Sequence, residues 1–160
     1  MKVLTIDISK CTGCRSCEYA CSFIHTGAFN RWDSRIIISH FPDDFIFIPT
    51  MCTQCEEAYC VSVCPTNALS KNYETGVVDF DKYKCVGCKQ CVIACPWGSI
   101  KLNHTGKEII KCDMCGGDPE CVKVCHTKAL EYSEVEDMVL NKKYRNAAQY
   151  KELIKRQQGV

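Results

Sequence analysis

The residues with the clearest chemical potential are thiols. Sixteen of the 160 residues are cysteine, and they fall into four short quartets. The first is Cys11, Cys14, Cys17 and Cys21, and the second is Cys52, Cys55, Cys60 and Cys64. The third is Cys85, Cys88, Cys91 and Cys95, and the fourth is Cys112, Cys115, Cys121 and Cys125. Each opens as CxxC and closes as CxxxC, only the middle spacer varies, and no cysteine is left over. Two-residue spacers let three sulfurs of one loop converge on a single inorganic core, while the fourth ligand arrives from elsewhere. In the arrangement C-x2-C-x2-C-x3-C-P, that last cysteine ligates the neighbouring cluster of a two-cluster 4Fe-4S protein. CVGCKQCVIACP, the third quartet, matches letter for letter, and CTQCEEAYCVSVCP, the second, matches with a longer middle spacer. Cys60 and Cys121, reached across longer spacers, are the least regular members of their triads.

Structural zinc is the competing reading, because four paired CxxC sites would also consume sixteen cysteines. Zinc sites, however, take two ligands per knuckle, not three in a tight run followed by a fourth and proline. A disulfide scaffold is disfavoured by context. The leading MKVLTIDISKC is broken by Asp7, offers no small-residue cleavage site and reads as a strand rather than a signal peptide. No run approaches the roughly 18 apolar residues of a membrane span. The expectation is therefore a cytoplasmic chain whose thiols stay reduced, with export on a twin-arginine partner as the other route. Asn103-His104-Thr105 matches a glycosylation sequon that such a chain would not use.

Composition points the same way. The hydrophobic fraction of 46% includes the cysteines, and without them little more than a third of the chain is left to build a core. Bound metal is the usual source of folding free energy in such proteins. A formal net charge of +1, from 20 basic and 19 acidic residues, excludes bulk attraction to nucleic acid or an anionic membrane. Four 4Fe-4S clusters would add roughly two negative charges each and leave the loaded molecule near roughly −7. Lys89, Lys101 and Lys111 stand near the quartets and can offset that charge locally, although lysines of this kind are ordinarily solvated.

The elements that position the quartets are short, and the fold class expected is α+β. After Cys64, Ala68 and Leu69 lead into a strand, Glu74 to Gly76 turn, and Val77 to Phe80 return. The segment after Cys95 has the same plan around His104 to Gly106, and the one after Cys125 begins it again. Each unit reads as a metal loop, a helical turn carrying the last cysteine, and a small hairpin. The gap after the first quartet is longer, and Arg35–Phe41 and Phe45–Ile48 read as two strands joined around Pro42-Asp43-Asp44, long enough to cover a cluster or face a partner. From about Leu140, the residues Leu140, Tyr144, Ala147, Ala148 and Ile154 fall near one face of an amphipathic C-terminal helix.

Ligand exchange follows partly from chain length. Quartets two and three are 20 residues apart with a hairpin between. If they pair, Cys52, Cys55 and Cys60 take Cys95, while Cys85, Cys88 and Cys91 take Cys64. The outer quartets then join Cys11, Cys14 and Cys17 to Cys125, and Cys112, Cys115 and Cys121 to Cys21. Spacing alone also allows sequential pairing, one with two and three with four.

On the four quartets, CPTNAL, CPWGSI and KCDMC, residues 1 to about 132 resemble the four-cluster ferredoxin-type electron-transfer subunits of molybdenum and tungsten oxidoreductases. CSFIHTGAFNRWDSRI and MCTQCEEAYC look most like the small subunits that accompany aldehyde oxidoreductase-type tungstopterin enzymes. The resemblance implies two nested bacterial-ferredoxin-like units, hence the inner-and-outer pairing. An outer half (1–28 with 105–132) would enclose an inner half (49–104), with a hairpin insertion at 29–48 and a docking tail at 133–160. It also implies a large catalytic partner carrying a tungsten or molybdenum pterin, and a soluble acceptor such as ferredoxin.

Ser22 and His126 depart from the pattern, standing where the other two quartets have Pro65 and Pro96. The expectation is an outer half that is more polar or more exposed. His126 either donates a hydrogen bond to a cluster sulfur or simply ends a turn, and His25, His40 and His104 are not expected to be ligands. No GxGxxG, P-loop, HExxH or nucleophile motif occurs. The function expected is electron transfer through four 4Fe-4S clusters, with no catalytic centre in this chain. Alternatives are the iron-sulfur subunit of a formate dehydrogenase, hydrogenase or dimethyl sulfoxide reductase-like complex, a free-standing polyferredoxin, or a zinc scaffold.

Overall fold

The computed structural model describes residues 2–158, apart from six side chains of the last helix. Residues 1 and 160, the outer limits of the expected units, lie outside the described residues.

Four two-stranded antiparallel sheets organise the chain. β1 (Lys2–Ile6) pairs with β8 (Leu130–Glu134) in a register from Lys2 opposite Glu134 to Ile6 opposite Leu130. The strand after the fourth quartet therefore finds its partner at the opposite end of the sequence instead of in a local hairpin. β2 (Ile36–Phe41) and β3 (Ile46–Met51) form the hairpin read in the long gap, which runs directly into Cys52. The smaller hairpins are β4 (Leu69–Lys71) with β5 (Val78–Phe80), and β6 (Lys101–Leu102) with β7 (Ile109–Ile110). The boundaries expected at 48/49 and 104/105 thus fall inside β3 and inside the β6–β7 hairpin.

The helices are α1 (Ser16–Thr26), α2 (Tyr59–Ser62), α3 (Gln90–Ala94), α4 (Glu120–Lys123) and α5 (Val135–Gln158). The three short ones carry the third cysteine of their quartets, Cys60, Cys91 and Cys121, and the fourth follows just past the helix end. The helical turn therefore precedes the last cysteine. Only α1 holds both, Cys17 and Cys21. α5 starts directly from β8, five residues before the expected Leu140, and leaves Leu140, Tyr144, Leu153 and Ile154 exposed. No helix among the described residues is long and apolar enough to cross a membrane.

Two small cores form, and cysteine is part of both. One gathers Cys17, Cys21, Cys121, Ile36, Ile38, Met51 and Leu130, and the other gathers Cys91, Leu69, Val78, Ile100 and Ile109. The β2–β3 hairpin is fastened to α1 by buried Glu18. Its Oε1 accepts the Ile38 N–H at 2.7 Å, and its Oε2 accepts Arg31 Nε–H at 2.6 Å. Asp33, also buried, accepts the N–H and Nδ1 of His104 at 2.8 and 2.7 Å and so ties the insertion to the β6–β7 turn. Burial works to raise the Asp33 carboxyl, but the hydrogen bonds from His104 outweigh it and hold the group below the usual aspartate range. Replacing Glu18 by alanine strands the buried Ile38 amide and releases the Arg31 guanidinium to solvent. We expect Glu18→Ala to cost about 2–3 kcal/mol in anaerobic urea unfolding, reflecting the loss of charged hydrogen bonds.

Candidate functional site

Backbone conformation shapes each ligand loop. The residue before the second cysteine of every quartet is left-handed: Gly13, Gln54, Gly87 and Met114 have φ of 69°, 53°, 71° and 55°. A second left-handed residue lies three positions after the fourth cysteine in three quartets, at Asn67, Gly98 and Lys128. In two of these the next amide is turned onto sulfur. Ala68 N–H donates to Cys64 Sγ at 3.2 Å, and Ser99 N–H donates to Cys95 Sγ at 3.3 Å. The first quartet departs because Ser22, unlike proline, lets α1 continue to Thr26. Ser22 is fully buried, and Cys21 Sγ instead receives the Arg35 N–H at 3.2 Å. Of the two expectations for these quartets, greater exposure does not hold, since Cys17, Cys21 and Cys121 are all buried, whereas the buried Ser22 and Glu18 fit a more polar surrounding.

Four cavities are each lined by four cysteines. The first has Cys11, Cys14, Cys17 and Cys125, with Ile38 and Pro49 of the hairpin over them. The second has Cys21, Cys112, Cys115 and Cys121, with Ile36 and Met51. Cys52, Cys55, Cys60 and Cys95 line the third, and Cys64, Cys85, Cys88 and Cys91 line the fourth. The first and second share one apolar core, the third and fourth share the other, and Gln54 Nε2–H joins the two pairs by donating to Cys112 O at 2.9 Å. Cys14 and Cys88 are the exposed cysteines, one in the first cavity and one in the fourth.

The donor sets fit an iron-sulfur core. Burial pushes the thiols of Cys17 and Cys112 up to about 12, and it raises those of Cys121, Cys52, Cys60, Cys91 and Cys115 as well. These seven buried or half-buried thiols are gathered with other cysteines in the cavities, and metal coordination would use them as thiolates. Arg35 lines the second cavity, and its Nε is a buried donor with no hydrogen-bond partner, suited to an inorganic sulfide. His126 Nδ1 comes to 4.0 Å from Cys14 Sγ. His40 stacks on Phe47, and His104 serves Asp33. His25 also lines the second cavity, with Nε2 at 3.8 Å from Cys115 Sγ and 3.0 Å from Arg35. Burial, followed by the Arg35 charge, holds its imidazole below the ordinary range.

Sequence reasoning passed over His25, Arg35 and Gln54 as neighbours of these cavities. Gln54 had a local signal, its place inside CxxC, but Arg35 reaches the site only through the fold.

Residues 43–135 match the 4Fe-4S dicluster domain, and residues 8–24 match a 4Fe-4S binding domain. This protein belongs to the 4Fe-4S dicluster family. Its cofactors are 4Fe-4S clusters, and sixteen cysteines in quartets are the complement for four of them. The polyferredoxin-like subunit of the aliphatic sulfonate oxidoreductase of Pyrococcus furiosus is 44% identical over 125 residues, covering 77% of this chain and 70% of that protein. The B subunit of the anaerobic dimethyl sulfoxide reductase of Escherichia coli is 34% identical over 151 residues, covering 83% and 73%. Among solved structures, the active site complex BamBC of benzoyl coenzyme A reductase, as isolated, contains a chain that aligns with TM-score 0.51 and 29% identity over 83% of this chain and 76% of that one.

Gly13 shows how closely this dicluster-family protein packs around its first cavity. A Cβ there would lie 2.3 Å from the Phe47 ring, on a residue whose φ is already 69°. Gly13→Ala is expected to loosen the loop and lose one cluster, read as about four fewer iron atoms per chain in anaerobic metal analysis.

Proposed function

We propose that this chain is an electron-transfer subunit that relays single electrons between a pterin-bearing catalytic partner and an external acceptor such as ferredoxin. The observation that carries this reading is the succession of four cysteine-lined cavities, with exposed cysteines only in the first and fourth. A less exposed middle and two more accessible ends suit a conductor that takes up charge at one surface and releases it at another.

The linings support the ligand sets. Cys11, Cys14, Cys17 and Cys125 would hold the first cluster, and Cys112, Cys115, Cys121 and Cys21 the second. Cys52, Cys55, Cys60 and Cys95 would hold the third, and Cys85, Cys88, Cys91 and Cys64 the fourth. This grouping favours the nested halves over sequential pairing, as does the β1–β8 sheet joining distant segments. When bound, such clusters supply one-electron exchange and, with four cysteine ligands, offer no vacant position to a substrate. The chain's own contribution is to hold the thiolates, exclude water with Ile36, Ile38, Pro49 and Met51, and direct amides of Arg35, Ala68 and Ser99 at sulfur. Those dipoles favour the more negative reduced state.

For the partner, the resemblance in CSFIHTGAFNRWDSRI and MCTQCEEAYC favours a tungsten or molybdenum pterin enzyme that oxidises an aldehyde in the cytoplasm. The similarity to the B subunit of a dimethyl sulfoxide reductase favours a second reading, the equivalent subunit of a reductase or dehydrogenase complex. The protein that co-purifies, its metal and its substrate separate the two. Docking through the insertion and through α5 is supported by the exposed side chains of Phe29, Trp32, Leu140, Tyr144, Leu153 and Ile154.

Anaerobically prepared protein is expected to hold about sixteen iron atoms and no stoichiometric zinc. Zinc in place of iron overturns the reading. In the same assay, Cys95→Ala and Cys55→Ala are expected to alter one and the same paramagnetic signal, distinct from the one altered by Cys88→Ala. Deleting residues 138–160 is expected to weaken co-purification with the partner and leave the visible spectrum unchanged; an intact complex argues against docking through α5.

A further inference from the structure

Lys111 is the only cation among the five buried polar or charged side chains of the described residues, with 3% of its surface exposed. The other buried charges are matched: Glu18 has Arg31, and Asp33 has His104 and Asn30. Lys111 has no carboxylate ion pair among the described residues. Its Nζ donates to the carbonyl oxygens of Val78 and Cys112, the latter at 2.6 Å. Lys71 makes a useful contrast. Its Nζ donates to the carbonyls of Gln54, Cys55 and Gly76 at 2.8, 2.8 and 2.7 Å, but part of that side chain still reaches solvent.

Burying an ammonium without a counter-charge is strongly unfavourable, and two carbonyl dipoles do not replace a full negative charge. The position of Lys111 identifies what does. Cys112, whose carbonyl it binds, lines the second cavity, and Val78 lines the third beside Cys52, Cys55, Cys60 and Cys95. Gln54 brackets the same two groups, since its Oε1 accepts Val78 N–H at 2.9 Å while its Nε2–H binds Cys112 O. The ammonium therefore sits where the two halves of the molecule meet, beside both inner members of the succession. The ordinary expectation of a solvated surface lysine does not hold here.

We propose that Lys111 is the internal counter-ion of the second and third clusters, raising the reduction potentials of those two relative to the end clusters. This rests on the reading that the cavities hold 4Fe-4S clusters. Each reduction adds one negative charge near Lys111, so the cation favours the reduced state of both, and electrons crossing between the halves pass a step stabilised by a fixed charge. Lys111 touches no reacting atom; it is a positioning residue that acts through charge.

The test uses full-length holo-protein, prepared anaerobically as wild type, Lys111→Met, Lys111→Gln and Lys111→Arg, with iron content and paramagnetic redox titration of each. The two neutral variants are expected to shift the reduction equilibrium of two clusters about tenfold toward the oxidised form, about 59 mV per one-electron step, while the other two move far less. Lys111→Arg is expected to stay close to wild type. Unchanged potentials in both neutral variants overturn the proposal, as does an equal shift in all four clusters or an arginine variant that shifts as far as methionine. If the neutral variants cannot hold iron and arginine can, the requirement for charge stands. If arginine also loses iron, the role is one of shape and the proposal falls. Wild-type protein without iron would instead defeat the cluster reading itself.

Discussion

Everything else in this molecule depends on four thiols converging around each small cavity. Cysteine side chains are members of both cores, and the aliphatic residues that accompany them form a shell one layer deep. The sheets are two strands wide and three of the five helices are only a turn or so long, so none of the elements that carry the cysteines is stable through its own hydrogen bonding. The ligand loops hold together because side chains from distant quartets face the same space. Folding and cofactor retention are therefore one process here, as they are in small metal-bound domains generally.

The four loops are variations on one backbone solution. A left-handed residue precedes the second cysteine each time, but glycine fills that place only twice. At Gly13 the reason is contact with Phe47 as well as conformation. At Gln54 the strain of a non-glycine residue is offset by three hydrogen bonds: its backbone carbonyl receives Lys71, its amide nitrogen binds Cys112 and its amide oxygen binds Val78. A side chain that glycine lacks becomes the joint between the halves. The first loop varies in another way. Serine in place of proline extends α1, and the extended helix carries Glu18 and Cys21 on a face that the inserted hairpin covers. The insertion thus replaces the missing turn, supplying the Arg35 amide to sulfur and the aliphatic roof over two cavities.

Electrostatics divide the interior from the ends. The middle cavities have Lys111 and Arg35 beside them, the latter paired with Asp113, while the end cavities each contain one of the two exposed cysteines. A protein near neutrality by composition thus places one buried cation without a carboxylate partner, Lys111, between the two middle cavities. That placement is what a conductor of electrons needs, since the reduced state of an enclosed cluster is the one that solvent cannot stabilise.

What the sequence by itself determined is local. The quartets, their spacing and their kinship with iron-sulfur proteins are consecutive residues, and the β2–β3 hairpin and C-terminal helix follow from patterning at short range. Spacing alone admits two pairings, and it is the tertiary structure, through the paths of β3, β4–β7 and the β1–β8 closure, that places Cys125 in a cavity with Cys11 and Cys95 in one with Cys52 and so favours the nested one. It also decided that Lys111 is buried while Lys89 is exposed, although both adjoin cysteines in the sequence. The physical reason is the same in each case: ligand sharing and desolvation depend on what arrives from elsewhere in the chain, and no window of neighbouring residues contains that information.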